Sequence, residues 1–146
     1  MIVTKLYLIG ALKNPDVPEI ANELEDNLKI EIFTDWFSPG PEADDRWRDY
    51  CKARGWTYTQ ALQRPAATHV FEFDKSHIDS SDGGILILPA GKSCALELGY
   101  ILGQGKPGWV LLDDPERWEV MWQFATGITD DKIQLMRMIH DHFKLG

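Results

Sequence analysis

Glu97 is the residue of this sequence whose surroundings most favour chemistry. It lies in the segment GKSCALELGY, directly after the apolar run GILIL, so a helix that begins near Ser93 carries Glu97 in its first turns. Helical spacing then places positions 93, 97, 100 and 104 on one stripe. The opposite, buried face is predicted to hold Ala95, Leu98, Ile101 and Leu102. Glu97 is therefore expected to point away from the core, toward the strand ends; the simpler interpretation is a Glu that only complements the helix dipole.

Other acidic and aromatic side chains could complete a site around this carboxylate. Asp74, Asp79 and Asp82 precede the strand that leads to Glu97, and Asp74 could approach the same edge of the sheet from the neighbouring segment. Asp82 is better explained as a cap of the turn into the strand. Tyr7 lies in the first predicted strand, where core packing is the default, but a buried hydroxyl needs a partner and a carboxylate would supply one.

A proline-rich loop and several glycines are the other candidate binding elements. The loop DWFSPGP carries Trp36 and Phe37, and Trp47 follows it, so their rings could cover a flat base or sugar; plain loop packing is the alternative. Turns are predicted at Gly10, Gly40 and Gly91. No phosphate-cradling glycine pattern follows the first strand, so a dinucleotide or triphosphate loop is not expected.

The cysteines and histidines do not form a metal-binding pattern. Cys51 and Cys94 are unpatterned and are interpreted as reduced, structural thiols. The histidines 77, 140 and 142 have no cysteine or clustered carboxylate beside them. The sequence therefore predicts neither a metal site nor a cofactor.

The hydrophobic pattern predicts the elements that must position these residues. Uniformly apolar strands at 84–88 and 108–112 flank the helix of Glu97, as is typical of parallel strands covered on both faces. Further strands are predicted at 5–9 and 30–34. Helices are predicted at 16–28, 44–55, 57–62, 70–80, 115–125 and 131–143. Because helices and strands alternate, we predict an α/β fold: a flavodoxin-like or Rossmann-like three-layer sandwich with a mostly parallel sheet.

Length and composition limit the class of protein. The 146 residues, 44% hydrophobic and 26% charged, fit one domain spanning 1–146. A net charge of −8 argues against binding duplex nucleic acid, although a single nucleoside or nucleotide remains compatible with it. No apolar run is long enough to span a membrane, and MIVTKLYLIG is too short for a signal peptide. We therefore expect a cytoplasmic protein without membrane association.

Five segments carry a resemblance to a known family. LYLIGAL, DKSHIDSSD, ILILPAG, GKSCALELGY and GKPGWVLL resemble the nucleoside 2-deoxyribosyltransferase-like superfamily, especially its compact phage and bacterial members, over about residues 5–112. The resemblance implies that Glu97 is a nucleophile that attacks the anomeric carbon of a 2'-deoxyribosyl group. It also implies that Tyr7 orients this carboxylate and that Asp74 protonates or holds the departing base. Transfer to an acceptor base and hydrolysis by water are both compatible with this chemistry.

The sequence departs from the family pattern near the start of the central helix. Many of these transferases carry an aspartate six residues before the glutamate, where this chain has Gly91. Ser93 and Lys92 could substitute, or could hold a 5'-phosphate at the helix N-terminus, as in the nucleotide N-glycosidases of the superfamily. Those enzymes usually carry a Gly- and Arg-bearing loop after the first strand, whereas ALKNP offers only Lys13. The choice between a nucleoside and its 5'-monophosphate thus stays open.

The expected function is N-glycosyl transfer or hydrolysis on a small-molecule 2'-deoxynucleoside or nucleotide. Candidate substrate-binding residues are Gly10, Trp36, Phe37, Trp47, Asp79, Gly91 and Ser93. The alternatives are an NAD-cleaving enzyme, because the related TIR-type NAD hydrolases share the strand-then-glutamate-helix arrangement, and a non-catalytic member that binds a nucleotide or a protein. The resemblance also implies a homo-oligomer, for which the aromatic segment 118–124 and the final helix are the expected surfaces.

Overall fold

A central sheet of five parallel strands organises the computed structural model, which describes residues 4–146. The strands lie in the order β2-β1-β3-β4-β5. Tyr7 in β1 stands beside Phe33 of β2 on one side and Gly84 of β3 on the other. The strands are β1 Lys5–Ile9, β2 Glu31–Phe33, β3 Gly83–Ile87, β4 Gly108–Leu111 and β5 Gly127–Thr129.

Helices cover both faces of the sheet, which confirms the predicted α/β three-layer, flavodoxin-like or Rossmann-like fold. Helices α1 and α6 pack on one face, and α4 and α5 pack on the other, while α2 and α3 lie in the connection between β2 and α4. The helices are α1 Val17–Leu28, α2 Ala43–Ala53, α3 Tyr58–Leu62, α4 Pro65–Asp79, α5 Lys92–Gly103 and α6 Lys132–Phe143.

The central strands β3 and β4 are wholly apolar, and β1 is apolar after Lys5, because these strands are buried on both faces. Leu6 and Leu8 of β1 contact the layer of α1 and α6, whereas Tyr7 and Ile9 contact the layer of α4 and α5. All five residues of β3 are buried. Burial on both sides removes the outward polar alternation, which is the pattern from which parallel pairing was predicted.

Residue types that favour helix starts are found at the N-termini of α4 and α6. Pro65 occupies the first turn of α4, where its missing N–H costs no hydrogen bond. The Asp131 carboxylate accepts hydrogen bonds from the N–H groups of Ile133 and Gln134 and so caps α6. Gly91 is the residue before α5, and no side-chain oxygen caps that helix. The N-terminus of α5 therefore lacks the side-chain cap that α6 has.

The structure agrees with the predicted elements at one of the following three segments and departs from them at the other two. The segment 70–80, predicted as a helix although the alternation of Phe71 and Phe73 also fits a strand, is helical and belongs to the longer α4. The helix predicted at 115–125 is wrong, because only a short 3-10 turn forms, Val120–Phe124, with no buried side chain to anchor a longer helix. The edge strand β5 was not predicted, since its three residues are too few for the hydrophobic period to be read.

The topology defines where the sheet can form a crevice. The chain leaves β1 toward the α1 face and leaves β3 toward the α5 face, so the connections diverge between these neighbouring strands. In open parallel sheets such a divergence point favours ligand binding at the carboxyl edge. Within residues 4–146 no helix is long and apolar enough to cross a membrane.

Candidate active site

Glu97 lies in the second turn of α5, on the side that faces α4 and the sheet. It is half-buried beside Tyr7, so the prediction that it points away from the core is wrong. The buried face of α5 is made of Cys94, Leu98 and Ile101, whereas Ala95, predicted to be buried, is exposed. The helix is rotated so that the carboxylate borders the core.

A cleft of about 320 Å³ opens between α4 and α5 in front of this carboxylate. Its volume is at the lower end of the range for small-molecule sites. Its walls are mainly apolar and aromatic, with two carboxylates and one ammonium group among them. The lining residues are Phe71, Asp74, Lys75, Ile78, Leu96, Glu97 and Tyr100.

Tyr7 stands behind Glu97, on the face of β1 that α4 and α5 cover. Its side chain is only 1% exposed and stacks on Phe33, with 5.4 Å between the ring centroids. The hydroxyl lies close enough to the Glu97 carboxylate to favour its ionised form and so to lower its pKa. Burial, followed by the charges of Glu97 and Asp74, raises the pKa of Tyr7 far above its usual value. Tyr7 therefore stays a neutral hydrogen-bond donor toward the carboxylate.

Glu97 and Asp74 are the two carboxylates of the cleft, and the negative charge of Asp74 disfavours the ionised form of Glu97. Burial and then the charge of Asp74 raise the pKa of Glu97 to about 7, against an opposing contribution from the Tyr7 hydroxyl. Burial also raises the pKa of Asp74. Groups with raised pKa values in a cleft are typical of acid–base and nucleophilic sites. Near neutral pH the pair can hold one proton and one negative charge.

Asp79 does not line this cleft but braces the helices that form it. Its carboxylate accepts hydrogen bonds from Tyr100 Oη at 2.7 Å and Gln104 Nε2 at 3.0 Å, and it pairs with Lys75 Nζ at 2.8 Å. The ion pair with Lys75 and these hydrogen bonds lower the pKa of Asp79 to about 2. Both Lys75 and Tyr100 are cleft residues, so Asp79 fixes two of its walls from outside.

Gly10 and Trp36 meet at the exit of β1. The Trp36 indole donates a hydrogen bond to the carbonyl oxygen of Leu8 at 2.7 Å, and a Cβ on Gly10 would lie 3.4 Å from the indole. The Cys94 thiol donates to the Gly10 carbonyl at 3.3 Å and so ties the start of α5 to the end of β1. These contacts place Gly10 and Trp36 in the packing around the sheet edge.

The remaining predicted binding residues lie outside the cleft lining. Phe37 packs edge-on against Trp36, with 5.8 Å between the rings, and contacts the core on the α1 side. Trp47 on α2 meets Tyr58 of α3 at 6.3 Å. Gly91 and Ser93 are exposed at the start of α5. The structure thus brings together Tyr7, Asp74 and Glu97 and leaves these four residues around the periphery.

Four apolar cleft residues were not predicted from the sequence. Phe71 and Ile78 flank Asp74 on α4, and Leu96 and Tyr100 flank Glu97 on α5. The signal was present in the helical spacing, because positions three and four residues from a functional side chain share its face. Applying that spacing to Asp74 indicates 71 and 78, and applying it to Glu97 indicates 100, whereas Lys75 and Leu96 are direct sequence neighbours that the spacing does not indicate.

Within residues 4–146 no three His, Cys, Asp or Glu side chains are grouped so that they could hold a metal ion. No protein-family model matches the sequence. Comparison with curated proteins gives no match either.

Proposed function

We propose that this protein cleaves the N-glycosidic bond of a 2'-deoxynucleoside or its 5'-monophosphate, with Glu97 as the nucleophile. The observation that carries the proposal is the presence of Glu97 and Asp74 in one mainly apolar cleft, with Tyr7 near enough to Glu97 to favour its ionised form. A carboxylate nucleophile with a second carboxyl group beside it is the arrangement that glycosidic cleavage with a covalent intermediate requires. The resemblance to the deoxyribosyltransferase-like superfamily points to the same residues.

The chemistry follows from the protonation states. The ionised Glu97 carboxylate bonds to the anomeric carbon as the bond between that carbon and the base nitrogen breaks. The bonding electron pair leaves with the base, which takes a proton from solvent water, because Asp74 is ionised whenever its charge raises the pKa of Glu97. An incoming base or water then attacks the anomeric carbon, gives its proton to Asp74 and releases Glu97. A base as acceptor gives transfer, and water gives hydrolysis.

The cleft walls suit the apolar and aromatic parts of such a substrate. Phe71 and Tyr100 offer ring surfaces, on which a heterocyclic base can stack. The ammonium group of Lys75, the cation of the lining, is already paired with Asp79 at 2.8 Å. Both features are compatible with a nucleoside. The experiment below compares substrates with and without a 5'-phosphate.

A chromatographic assay tests this function. The protein is incubated with deoxynucleosides, their 5'-monophosphates and NAD, with and without a free acceptor base, beside Glu97→Gln. We expect base release or exchange that disappears in Glu97→Gln, with Glu72→Gln, an exposed glutamate of α4, retaining activity. Acceptor dependence separates transferase from hydrolase. Nicotinamide release from NAD alone would replace the proposal with NAD cleavage, and ligand binding without turnover would leave a binding protein.

We also propose that the protein assembles with copies of itself through the segment around the 3-10 turn. Trp118 is 80% exposed and Phe124 is 75% exposed, although both are large apolar side chains. Monomers rarely expose such side chains in a group, because each adds apolar area that water contacts unfavourably. Helix α6 is the second expected surface. Its Leu135 and Ile139 side chains are already buried in the core of the same chain, so the proposal rests on the segment around the 3-10 turn.

A further inference from the structure

Residues 50–71 carry a charge opposite in sign to that of the whole chain. They contain Lys52, Arg54 and Arg64 but no Asp or Glu, although the sequence has 23 acidic residues. Their formal charge is therefore +3, against −8 for the whole chain. All three basic side chains are exposed. This part of the surface can attract an anionic partner that the rest of the protein repels.

Two guanidinium groups of this stretch lie over aromatic rings. The guanidinium carbon of Arg54 is 3.4 Å from the centroid of the Tyr50 ring and 5.9 Å from that of Trp56. The guanidinium carbon of Arg64 is 4.0 Å from the centroid of the Trp56 ring. We call these four side chains the arginine–aromatic surface. Contact with a ring holds a guanidinium group in place, while N–H groups at its edge can still bind an anion.

Neither of these guanidinium groups has a carboxylate partner in the part of the chain that the structure describes. Arg54 donates a hydrogen bond to a backbone carbonyl oxygen of α2, at 3.3 Å. Arg48, by contrast, pairs with Asp45 at 3.5 Å and with Asp49 at 3.1 Å. Arg54 and Arg64 can therefore form charge-assisted hydrogen bonds with a partner without breaking an existing ion pair.

Core packing does not account for the aromatic side chains of this region. The buried residues of α2 and α3 are Cys51 and Ala61, neither of which is aromatic. Tyr50 is 51% exposed and Tyr58 is 74% exposed. Exposed rings interspersed with cationic groups are the arrangement with which proteins bind single-stranded nucleic acid, because bases stack on the rings and the cations contact the phosphates.

The surroundings favour a nucleic acid strand over an acidic protein as the anionic partner. Thr59 and Gln63 expose hydroxyl and amide groups on α3 and at its end, and such groups contact phosphate and sugar in complexes with nucleic acid. A protein interface centres on an apolar patch, whereas guanidinium groups cover the rings of Tyr50 and Trp56 here. A duplex is disfavoured, because its bases are stacked on one another and cannot stack on Tyr58.

We propose that the arginine–aromatic surface, together with Tyr58, binds single-stranded nucleic acid. The guanidinium groups of Arg54 and Arg64 bind phosphates, and a base stacks on the Tyr58 ring. These contacts use the backbone and the faces of the bases, so little sequence preference is expected. None of these residues lines the Glu97 cleft, so the binding does not depend on the proposed glycosidic reaction.

Fluorescence anisotropy with a labelled oligothymidylate of about 12 nucleotides tests this surface. The strand is compared with a duplex of the same length and with a polyglutamate peptide of similar charge. We expect saturable binding of the single strand that weakens as salt rises. The peptide and the duplex should bind more weakly, because neither offers an unstacked base. Excess thymidine should not compete, since a free nucleoside is expected in the Glu97 cleft instead.

Variants separate phosphate contacts from stacking. Arg54→Gln and Arg64→Gln should each weaken binding roughly two- to five-fold, as for a solvent-screened ion pair. Each should also reduce the slope of log affinity against log salt by about 0.7, the value for one phosphate contact on a single strand. Tyr58→Ala should weaken binding about five-fold or more without changing this slope, because it removes a stacking ring and no charge.

Arg137→Gln is the matched control, because it removes the same charge from an exposed arginine of α6, outside this surface. It should leave the affinity for the strand unchanged. Polyglutamate that binds as tightly as the strand would replace the nucleic acid with an acidic protein partner. Competition by thymidine would move the binding to the Glu97 cleft. Either result, an equal loss in Arg137→Gln and Arg54→Gln, or no saturable binding at low salt would overturn the proposal.

Discussion

At the scale of the residue, the proposed reaction depends on the ionisation of Glu97. A carboxylate is nucleophilic only when ionised, and burial beside Asp74 raises the pKa of Glu97 to about 7. Activity is therefore expected to rise between about pH 6 and pH 8. Tyr7 opposes this shift by interacting with the ionised form, so it acts as a positioning residue whose effect is visible in the pH profile.

The profile of kcat/KM against pH should move in opposite directions in two variants. Tyr7→Phe removes an interaction that lowers the pKa of Glu97, so the rising limb should shift to higher pH. Asp74→Asn removes a neighbouring negative charge that raises this pKa, so the limb should shift to lower pH, with a lower maximal rate because the carboxylate that takes the proton of the incoming base or water is lost. Rates measured from pH 5 to pH 9 check both shifts.

Glu72→Gln, on the exposed face of α4, is the matched control and should leave the pH at the midpoint of the rising limb unchanged. A limb that stays fixed in both Tyr7→Phe and Asp74→Asn would mean that another group controls the rate. Shifts in the same direction would contradict the assigned contacts.

The same carboxylate should make stability depend on pH. The pKa of Glu97 is raised from 4.5 to about 7, so its protonated form favours the folded state, and this contribution is lost as pH rises through 7. Glu97→Gln keeps a neutral side chain, so it should stabilise the protein relative to the parent at pH 8, by on the order of 1–3 kcal/mol, and show little gain at pH 4. Urea unfolding at the two pH values measures the difference. A gain that is equal at both would show that Glu97 is not buried as a charge.

At the scale of the element, glycines in β3 set how closely the strand and its neighbour approach. A Cβ on Gly83 would lie 2.6 Å from the carbonyl oxygen of Pro107, which is a backbone atom and cannot rotate away. A Cβ on Gly99, in α5, would meet nothing within 4 Å. An alanine at position 83 would therefore collide with the backbone, whereas an alanine at position 99 would fit without a collision.

Gly83→Ala is expected to destabilise the fold by roughly 1–3 kcal/mol, the usual cost of overpacking a core. Gly99→Ala is expected to stabilise it by about 1 kcal/mol, because alanine favours a helix interior over glycine. Thermal or urea unfolding of both variants, side by side, checks the two signs. A neutral Gly83→Ala would mean that β3 and the segment before β4 are farther apart than the structure places them.

The helices also show which elements can be predicted from pattern alone. Long amphipathic segments such as α1 and α6 repeat their apolar residues often enough to fix both the element and its buried face. The segment around Trp118 is as rich in apolar residues as a buried helix, but Trp118, Val120, Met121 and Phe124 are exposed, and Trp122 is its side chain that packs partly against the core. Composition indicated an element there, but only packing decides whether a helix is stabilised.

At the scale of the whole molecule, the exposed turn segment predicts self-association. Light scattering at micromolar concentration should give a mass above the 16.7 kDa of one chain. Replacing Trp118 and Phe124 together by serine should shift the mass toward the monomer, because it removes the largest exposed apolar area of the segment. Ile133→Ser on α6 is the control, since that side chain is also exposed but lies outside the segment. A monomeric parent protein would end the proposal.

The sequence by itself determined the type of most elements, their parallel pairing and the helix that carries Glu97, because these follow from local periodicity and turn residues. Tertiary structure alone decided that Glu97 faces the sheet, since the rotation of α5 depends on how Cys94, Leu98 and Ile101 pack. The environment of the Glu97 carboxylate could not be predicted from the sequence either, because Tyr7, Asp74 and Glu97 lie on three separate elements. Their mutual distances and burial, which set the pKa values, exist only once the sheet and both helices have assembled.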